Sequence, residues 1–190
     1  MNPYRPILGV LVYLTSGDRV LMIHRQGRPD DLHLGKYNGL GGKVEPDEDI
    51  VSAVMREVRE EAGVDLVRPR LRGTISWPGF GSDGEDWFGF VFTADTWIGE
   101  PGTENSEGVL EWVPVSRLLS FDLPLWPGDR HFLPLVFDSS VEQFHGVMPY
   151  RDGVPESWQV SVVPAQGSSP CAAVTSVATP RRRHVGSRDT

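Results

Sequence analysis

The sequence has little cysteine, no excess of basic charge and no long apolar run. Its 190 residues include one cysteine, Cys171, which excludes an internal disulfide framework and a zinc site built from cysteines. The 26 acidic side chains outnumber the 18 basic ones and give a net charge of -8, which argues against binding of long nucleic acid. The apolar run over residues 7–14 is too short to span a bilayer and predicts a first strand. We therefore expect a cytoplasmic protein without a membrane partner.

One change in composition divides the chain. From residue 164 to residue 190 the sequence is rich in Ser, Ala, Pro and Gly, lacks aromatic residues and shows no helical or strand period. We predict one folded domain over residues 1–163 and a disordered basic tail over residues 164–190. The arginine triplet of the tail, residues 181–183, is interpreted as a solvated charge run rather than a nucleic-acid patch.

Short strand-like runs dominate the predicted domain. Aromatic and β-branched residues between Gly, Pro and Asp clusters predict strands over residues 7–14, 19–24, 71–77, 87–94 and 109–113. A strong helix is predicted over residues 49–62 and a weaker one over residues 129–139. This mixture indicates a single α+β domain.

Three carboxylates lie beside or inside the apolar stripe of the strong helix: Glu57, Glu60 and Glu61. A desolvated carboxylate either takes up a proton or binds a cation, and oxygen ligands favour Mg²⁺ or Mn²⁺. The alternative is a solvated acidic face paired with Arg56 and Arg59. Helix geometry alone leaves both interpretations open.

A glycine-rich loop over residues 35–43 precedes this helix and lets backbone approach a ligand closely, although a plain turn is the alternative. It is neither a Walker A loop nor a dinucleotide fingerprint, because Val44 stands where each requires another residue. Loop and helix together run Gly42, five residues, Glu48, seven residues, and then REVREEAGV over residues 56–64. This pattern resembles the Nudix box, the loop-helix-loop signature of hydrolases of nucleoside diphosphates linked to another moiety.

The resemblance implies an α/β/α sandwich around a mixed β-sheet and an activity that requires Mg²⁺ or Mn²⁺, with two or more ions. Carried over position by position, it implies metal ligation by three helix glutamates and one loop carbonyl: Glu57, Glu60, Glu61 and Gly42. It also implies that Arg56 orients a carboxylate, that Glu48 braces the loop at the helix start, and that Gly63 ends the helix.

Glu107, which precedes the predicted strand over residues 109–113, resembles the downstream glutamate that many family members use to bind metal or activate water. An exposed loop acid is the alternative interpretation. Glu61 is the other candidate base, and Glu60 completes the predicted catalytic group.

Over residues 7–160 the chain resembles one subgroup, the oxidised-purine nucleoside triphosphate diphosphatases that act on 8-oxo-dGTP. This resemblance implies a base pocket formed by Asn38, Trp126 and Asp129, although the subgroup has two adjacent acids where this chain has Gly128 and Asp129. Asn38 and Trp126 have the alternative roles of a loop-bracing amide and a core aromatic. Arg25 is expected to face the nucleotide, or else to lie on plain surface.

The expected reaction converts a nucleoside triphosphate and water to the monophosphate and pyrophosphate. The expected partner is this nucleotide substrate, and the sequence leaves the oligomeric state open. Two alternatives remain. One is a pyrophosphatase of ADP-ribose or dinucleotides, for which Pro78 is a weak indication. The other is a catalytically inactive nucleotide-binding module built on the same fold.

Overall fold

The computed structural model describes residues 3–26, 33–166 and 175–178. The longer strands are β1 (Ile7–Ser16), β2 (Arg19–Arg25), β5 (Arg70–Trp77), β6 (Trp87–Ala94), β8 (Gly108–Pro114), β9 (Val141–Val147) and β12 (Ser157–Pro164). The short strands are β3 (Tyr37–Asn38), β4 (Asp65–Leu66), β7 (Trp97–Ile98), β10 (Tyr150–Arg151), β11 (Val154–Pro155) and β13 (Thr175–Ala178). The helices are α1 (Ile50–Ala62), α2 (Val115–Ser120) and α3 (Asp129–Phe137).

Within the described residues, nine strands form one mixed sheet. Its order is β13-β12-β9-β5-β6-β1-β2-β3. The ninth strand, β8, lies outside this order and pairs with β2 along its whole length. Strand β1 runs parallel to β6 and β5 runs parallel to β9, whereas the remaining pairs are antiparallel. The mixed sheet with few helices confirms the predicted α+β class.

Helices cover both faces of this sheet. Val54 and Val58 of α1 pack on one face, in a cluster that contains Val12 and Leu14 of β1. Successive residues of a strand point to opposite faces, so Tyr13 of β1 joins the second cluster. That cluster also holds buried residues of α2 and α3: Leu118, Phe132, Leu133 and Val136. The layers therefore form the α/β/α sandwich that the resemblance implied.

Helix α1 has well-defined ends. The side chain of Asp49 accepts hydrogen bonds from the backbone N–H groups of Val51 and Ser52, which satisfies donors that the first turn leaves unpaired. At the other end Gly63 adopts a left-handed conformation (φ 74°), and its N–H donates to the carbonyl of Arg59. The predicted helix thus begins one residue later than expected, because Asp49 is its cap.

The far end of α3 is held by a buried arginine. Arg72 lies on β5 with 8% of its surface exposed. Its guanidinium donates at 2.9–3.2 Å to four backbone carbonyls, those of Leu135, Val136, Asp138 and Glu142. Helix termini leave carbonyls without intrahelical partners, and Arg72 satisfies those of α3 from the neighbouring sheet.

Helix α2, the longer strands β9 and β12, and all the short strands were not predicted. In the predicted tail, Thr175–Ala178 pairs along β12, whereas residues 167–174 and 179–190, with the arginine triplet and Cys171, lie outside the described residues. The boundary at residue 163 therefore stays a prediction. The described part of the chain holds no helix with the length and apolarity that a membrane span requires.

Candidate active site

The glycine-rich loop lies against the first strand, where its backbone reaches the carboxylates of α1. Bridges join Leu40 to Val12 and Lys43 to Gly9. Gly41 has φ 134°, and a Cβ atom there would overlap the carbonyl of Val10. Glycine is therefore required at this position.

Two glycines of the loop, Gly41 and Gly42, contact the carboxylates of α1. The N–H of Gly41 donates to the Glu61 carboxylate at 2.7 Å. A Cβ on Gly42 would lie 2.5 Å from Oε1 of Glu57. The Gly42 carbonyl, a predicted metal ligand, already accepts the N–H of Val10 at 2.9 Å, so one of its lone pairs remains for another partner.

The three helix glutamates differ in exposure. Glu61 is buried, the Glu57 side chain is 12% exposed, and the Glu60 side chain is 60% exposed at the rim. Burial, with contact to Glu107, raises the pKa of Glu61 to about 9, although the Gly41 N–H opposes the shift. Burial also raises the pKa of Glu57, against the stabilising charge of Arg56. Two desolvated carboxylates thus stand side by side.

Arg56 links the loop to the helix glutamates. Its guanidinium donates to Glu48 at 2.7 and 3.1 Å, to Glu57 at 2.9 Å and to the carbonyl of Lys43 at 3.0 Å. The carboxylate of Glu60 lies 3.4 Å away. The hydrogen bond from Arg56 lowers the pKa of Glu48. This placement agrees with the orienting role proposed for Arg56 and the bracing role proposed for Glu48.

Glu107 reaches the site from the loop before β8. Its carboxylate pairs with Arg25 at the end of β2 and interacts with Glu61. Asn105, which sequence reasoning missed, fixes this loop: its side-chain oxygen accepts the N–H groups of Glu107 and Gly108, and its amide donates to the Glu61 carbonyl. The Asn-Ser-Glu-Gly order, typical of such a turn, was the available signal.

The donor set suits a divalent cation that prefers oxygen. It comprises carboxylates that are costly to bury without a counter-charge, together with the Gly42 carbonyl. Among residues 3–26, 33–166 and 175–178, no three or more His, Cys, Asp or Glu side chains lie close enough together to bind one metal ion. The assignment of Glu57, Glu60, Glu61 and Glu107 as metal ligands therefore stays a prediction.

A cleft of about 300 Å³ is lined by Gly41 and Gly42, whose backbone contacts the carboxylates of Glu61 and Glu57. Its lining includes Asn38, Trp126 and Asp129, together with Arg25 and Gly42 from the glutamate side. The structure thus brings the predicted base-binding residues together and places them next to the predicted metal site.

His33 organises one wall of the cleft. The indole N–H of Trp126 donates to its Nδ1 at 2.8 Å, so this nitrogen carries no proton, and the amide nitrogen of Asn38 lies 2.8 Å from the same atom. The ammonium of Lys36 lies 4.6 Å from the centre of the Trp126 ring, a cation–π contact. No sequence pattern singled out His33, because its role depends on contacts between distant segments.

Asp129 supplies an acid at the start of α3. Its carboxylate accepts the backbone N–H of Trp126 at 3.0 Å. Burial raises its pKa to about 7, although the Trp126 N–H and the charge of Lys36 oppose the shift. Near neutral pH this carboxyl group can therefore serve as a hydrogen-bond donor or an acceptor.

Comparison with known proteins identifies the family. The model of the NUDIX domain matches residues 3–136, which contain the loop, α1 and Glu107. The chain belongs to the Nudix family. Nudix hydrolases act on nucleotide substrates and generally use divalent metal ions.

Relatives within the Nudix family cover most of the chain. The Nudix hydrolase YvcI of Bacillus subtilis is 32% identical over 141 residues, 72% of this chain and 82% of the relative. The oxidized purine nucleoside triphosphate hydrolase of Mus musculus is 33% identical over 146 residues, 76% of this chain and 87% of the relative. The crystal structure of a MutT protein from Bacillus halodurans superposes with a TM-score of 0.68 at 26% identity, covering 81% of this chain and 97% of that one.

Proposed function

We propose that this Nudix hydrolase converts a nucleoside triphosphate and water to the nucleoside monophosphate and pyrophosphate, and that it requires Mg²⁺ or Mn²⁺. One observation carries the proposal: the cleft that holds Asn38, Trp126 and Asp129 is also lined by Gly41 and Gly42, the two loop glycines that contact the carboxylates of α1. A base bound there places its phosphates toward Arg25 and the glycine-rich loop. An oxidised purine such as 8-oxo-dGTP belongs to the candidate substrates, as the name of the murine relative suggests.

Each residue has a separate role in the proposed reaction. Trp126 stacks on the base, and Asn38 and Asp129 donate or accept hydrogen bonds at its edge. When bound, the divalent metal ions neutralise phosphate charge and lower the pKa of the attacking water. Water adds to phosphorus as the bridging P–O bond breaks, and pyrophosphate carries away the bond's electrons. Glu61 and Glu107 are the two candidate acceptors of the water proton.

Product analysis tests the proposal. Purified protein is incubated with each of several triphosphates, including 8-oxo-dGTP, and with ADP-ribose and a dinucleotide, in the presence of Mg²⁺, Mn²⁺ or a chelator. We expect a monophosphate and pyrophosphate from a triphosphate, and no reaction with the chelator. Cleavage of only ADP-ribose or the dinucleotide would refute the triphosphate assignment. Tight nucleotide binding without any turnover would identify an inactive binding module.

Substitution of the glutamates tests the site itself. Glu60→Gln and Glu61→Gln should each lower kcat/KM about 100-fold or more, because a lost carboxylate removes charge that holds the metal ions. Glu100→Gln is the matched control, since Glu100 is exposed and distant in sequence from the Nudix box. Rates near those of the wild type in both Glu60→Gln and Glu61→Gln would refute the metal assignment.

A further inference from the structure

Position 128 is a glycine for reasons of space rather than backbone conformation. Gly128 has φ -71° and ψ -24°, which any residue adopts. A Cβ atom there would overlap the phenolic oxygen of Tyr150 and would lie 2.5 Å from Sδ of Met148. The volume that a side chain at position 128 would occupy is therefore filled by Tyr150, which arrives from a distant part of the chain.

Tyr150 is held rigidly beside the cleft. It begins the β10–β11 hairpin, and its backbone N–H donates to the Pro78 carbonyl at 2.7 Å. Its ring packs against Phe80 with 5.0 Å between centroids, and the residue is 7% exposed. Both Tyr150 and Asp129 line the cleft, so the phenol and the carboxyl group face the same ligand volume.

The Tyr150 hydroxyl group can act as a hydrogen-bond donor in the cleft. The phenolic oxygen lies against Gly128, and burial together with the nearby charge of Asp129 raises the pKa of Tyr150, so the hydroxyl group stays neutral. A neutral phenol has one hydrogen that it can donate to an acceptor in the cleft. Asp129 can lose its proton near neutral pH, whereas the Tyr150 hydroxyl keeps its hydrogen and can donate it throughout this range.

We propose that Tyr150 is a specificity-determining residue of the base pocket, where its hydroxyl donates a hydrogen bond to the carbonyl oxygen of a 6-oxopurine. The inference rests on the proposed triphosphate hydrolysis. A 6-aminopurine presents an amino group at the same place, which cannot accept the Tyr150 hydrogen and leaves that donor without a partner. An unpaired donor in a buried site reduces binding, so the pocket selects guanine-type or hypoxanthine-type nucleotides over adenine nucleotides.

Tyr150→Phe tests this role because it removes the hydroxyl and keeps the ring. Hydrolysis of dGTP, dITP and dATP is measured for the wild type, Tyr150→Phe and the matched control Tyr4→Phe, which loses an exposed hydrogen bond to Ser76. We expect the 6-oxopurine to dATP ratio of kcat/KM to fall about tenfold in Tyr150→Phe, mainly through KM, and to stay unchanged in the control.

The possible failures are distinguishable. Normal turnover with an unchanged ratio in Tyr150→Phe would overturn the role of Tyr150 and leave the proposed reaction intact. Absence of turnover with every triphosphate in the wild type would overturn both.

A second measurement, which needs no activity assay, tests whether Tyr150 fills the space beside Gly128. Gly128→Ala should lower the thermal midpoint of the wild type by about 5 °C, because the added methyl group overpacks against Tyr150. In a Tyr150→Ala background the same change should lower it much less, since the phenol is gone. Equal effects in the two backgrounds would overturn the assignment of Tyr150 to this space.

Discussion

In the metal-free protein, Glu61→Gln should raise the free energy of unfolding at neutral pH, although the same substitution removes a predicted metal ligand. Buried Glu61 keeps its proton up to about pH 9 in the folded state, but it has an ordinary pKa of 4.5 when unfolded. Between these values the native state binds more protons, so stability falls as pH rises through this window. The loss reaches about 3 kcal/mol at pH 7.

Glutamine imitates the protonated acid. Its oxygen can accept the Gly41 N–H, and its amide can donate to Glu107, with which Glu61 interacts. The variant therefore avoids the deprotonation that favours the unfolded state. At about 2–4 °C per kcal/mol, its thermal midpoint at pH 7 should rise by up to about 10 °C, and at pH 5 it should barely change.

Urea and thermal unfolding in a chelator at pH 5, 7 and 8 check this prediction, with Glu100→Gln as the control. Parallel pH dependences for the wild type and Glu61→Gln would refute the reasoning. A second arm adds Mg²⁺, which should stabilise the wild type by mass action and stabilise Glu61→Gln far less. Equal stabilisation of both proteins would place the ion elsewhere.

Two further predictions concern α3. Arg72→Met should lower the free energy of unfolding by about 3–5 kcal/mol, because four carbonyls lose their donor, whereas exposed Arg70→Met should change it little. Equal denaturation midpoints for both variants would contradict the stabilising role of the Arg72 hydrogen bonds. Asp129→Asn should raise the thermal midpoint at pH 8 and leave it unchanged at pH 4, because the raised pKa of Asp129 destabilises the fold as pH increases. Exposed Asp95→Asn is its control, and a shift of the same size at both pH values would contradict the burial of Asp129.

The sequence predicted what depends on local pattern. Strands over residues 19–24 and 87–94 appear within one residue of their predicted ends, because alternation and turn residues act over short distances. The glutamates of α1 were found through helical spacing. Strand β9 was missed because His145 and Gly146 interrupt its apolar residues, and its burial depends on pairing with β5 and β12.

The remaining residues of the site depend on segments far apart in the chain. His33 meets Trp126 across 93 positions, and Tyr150 fills the space above Gly128 only after the hairpin has docked. The sequence marked Gly128 as the place where one expected acid is absent. It held no sign of which group stands there instead, since that group comes from another strand.

Helix α3 is anchored at one end and lines the cleft at the other. Arg72 holds its last carbonyls to the sheet, whereas Asp129 in its first turn lines the cleft. Under the proposed function, substitutions in the first turn change which base is accepted while the anchoring contacts persist. This separation leaves the first turn of α3 open to evolutionary change, so descendants of the chain can acquire new nucleotide preferences without losing the fold.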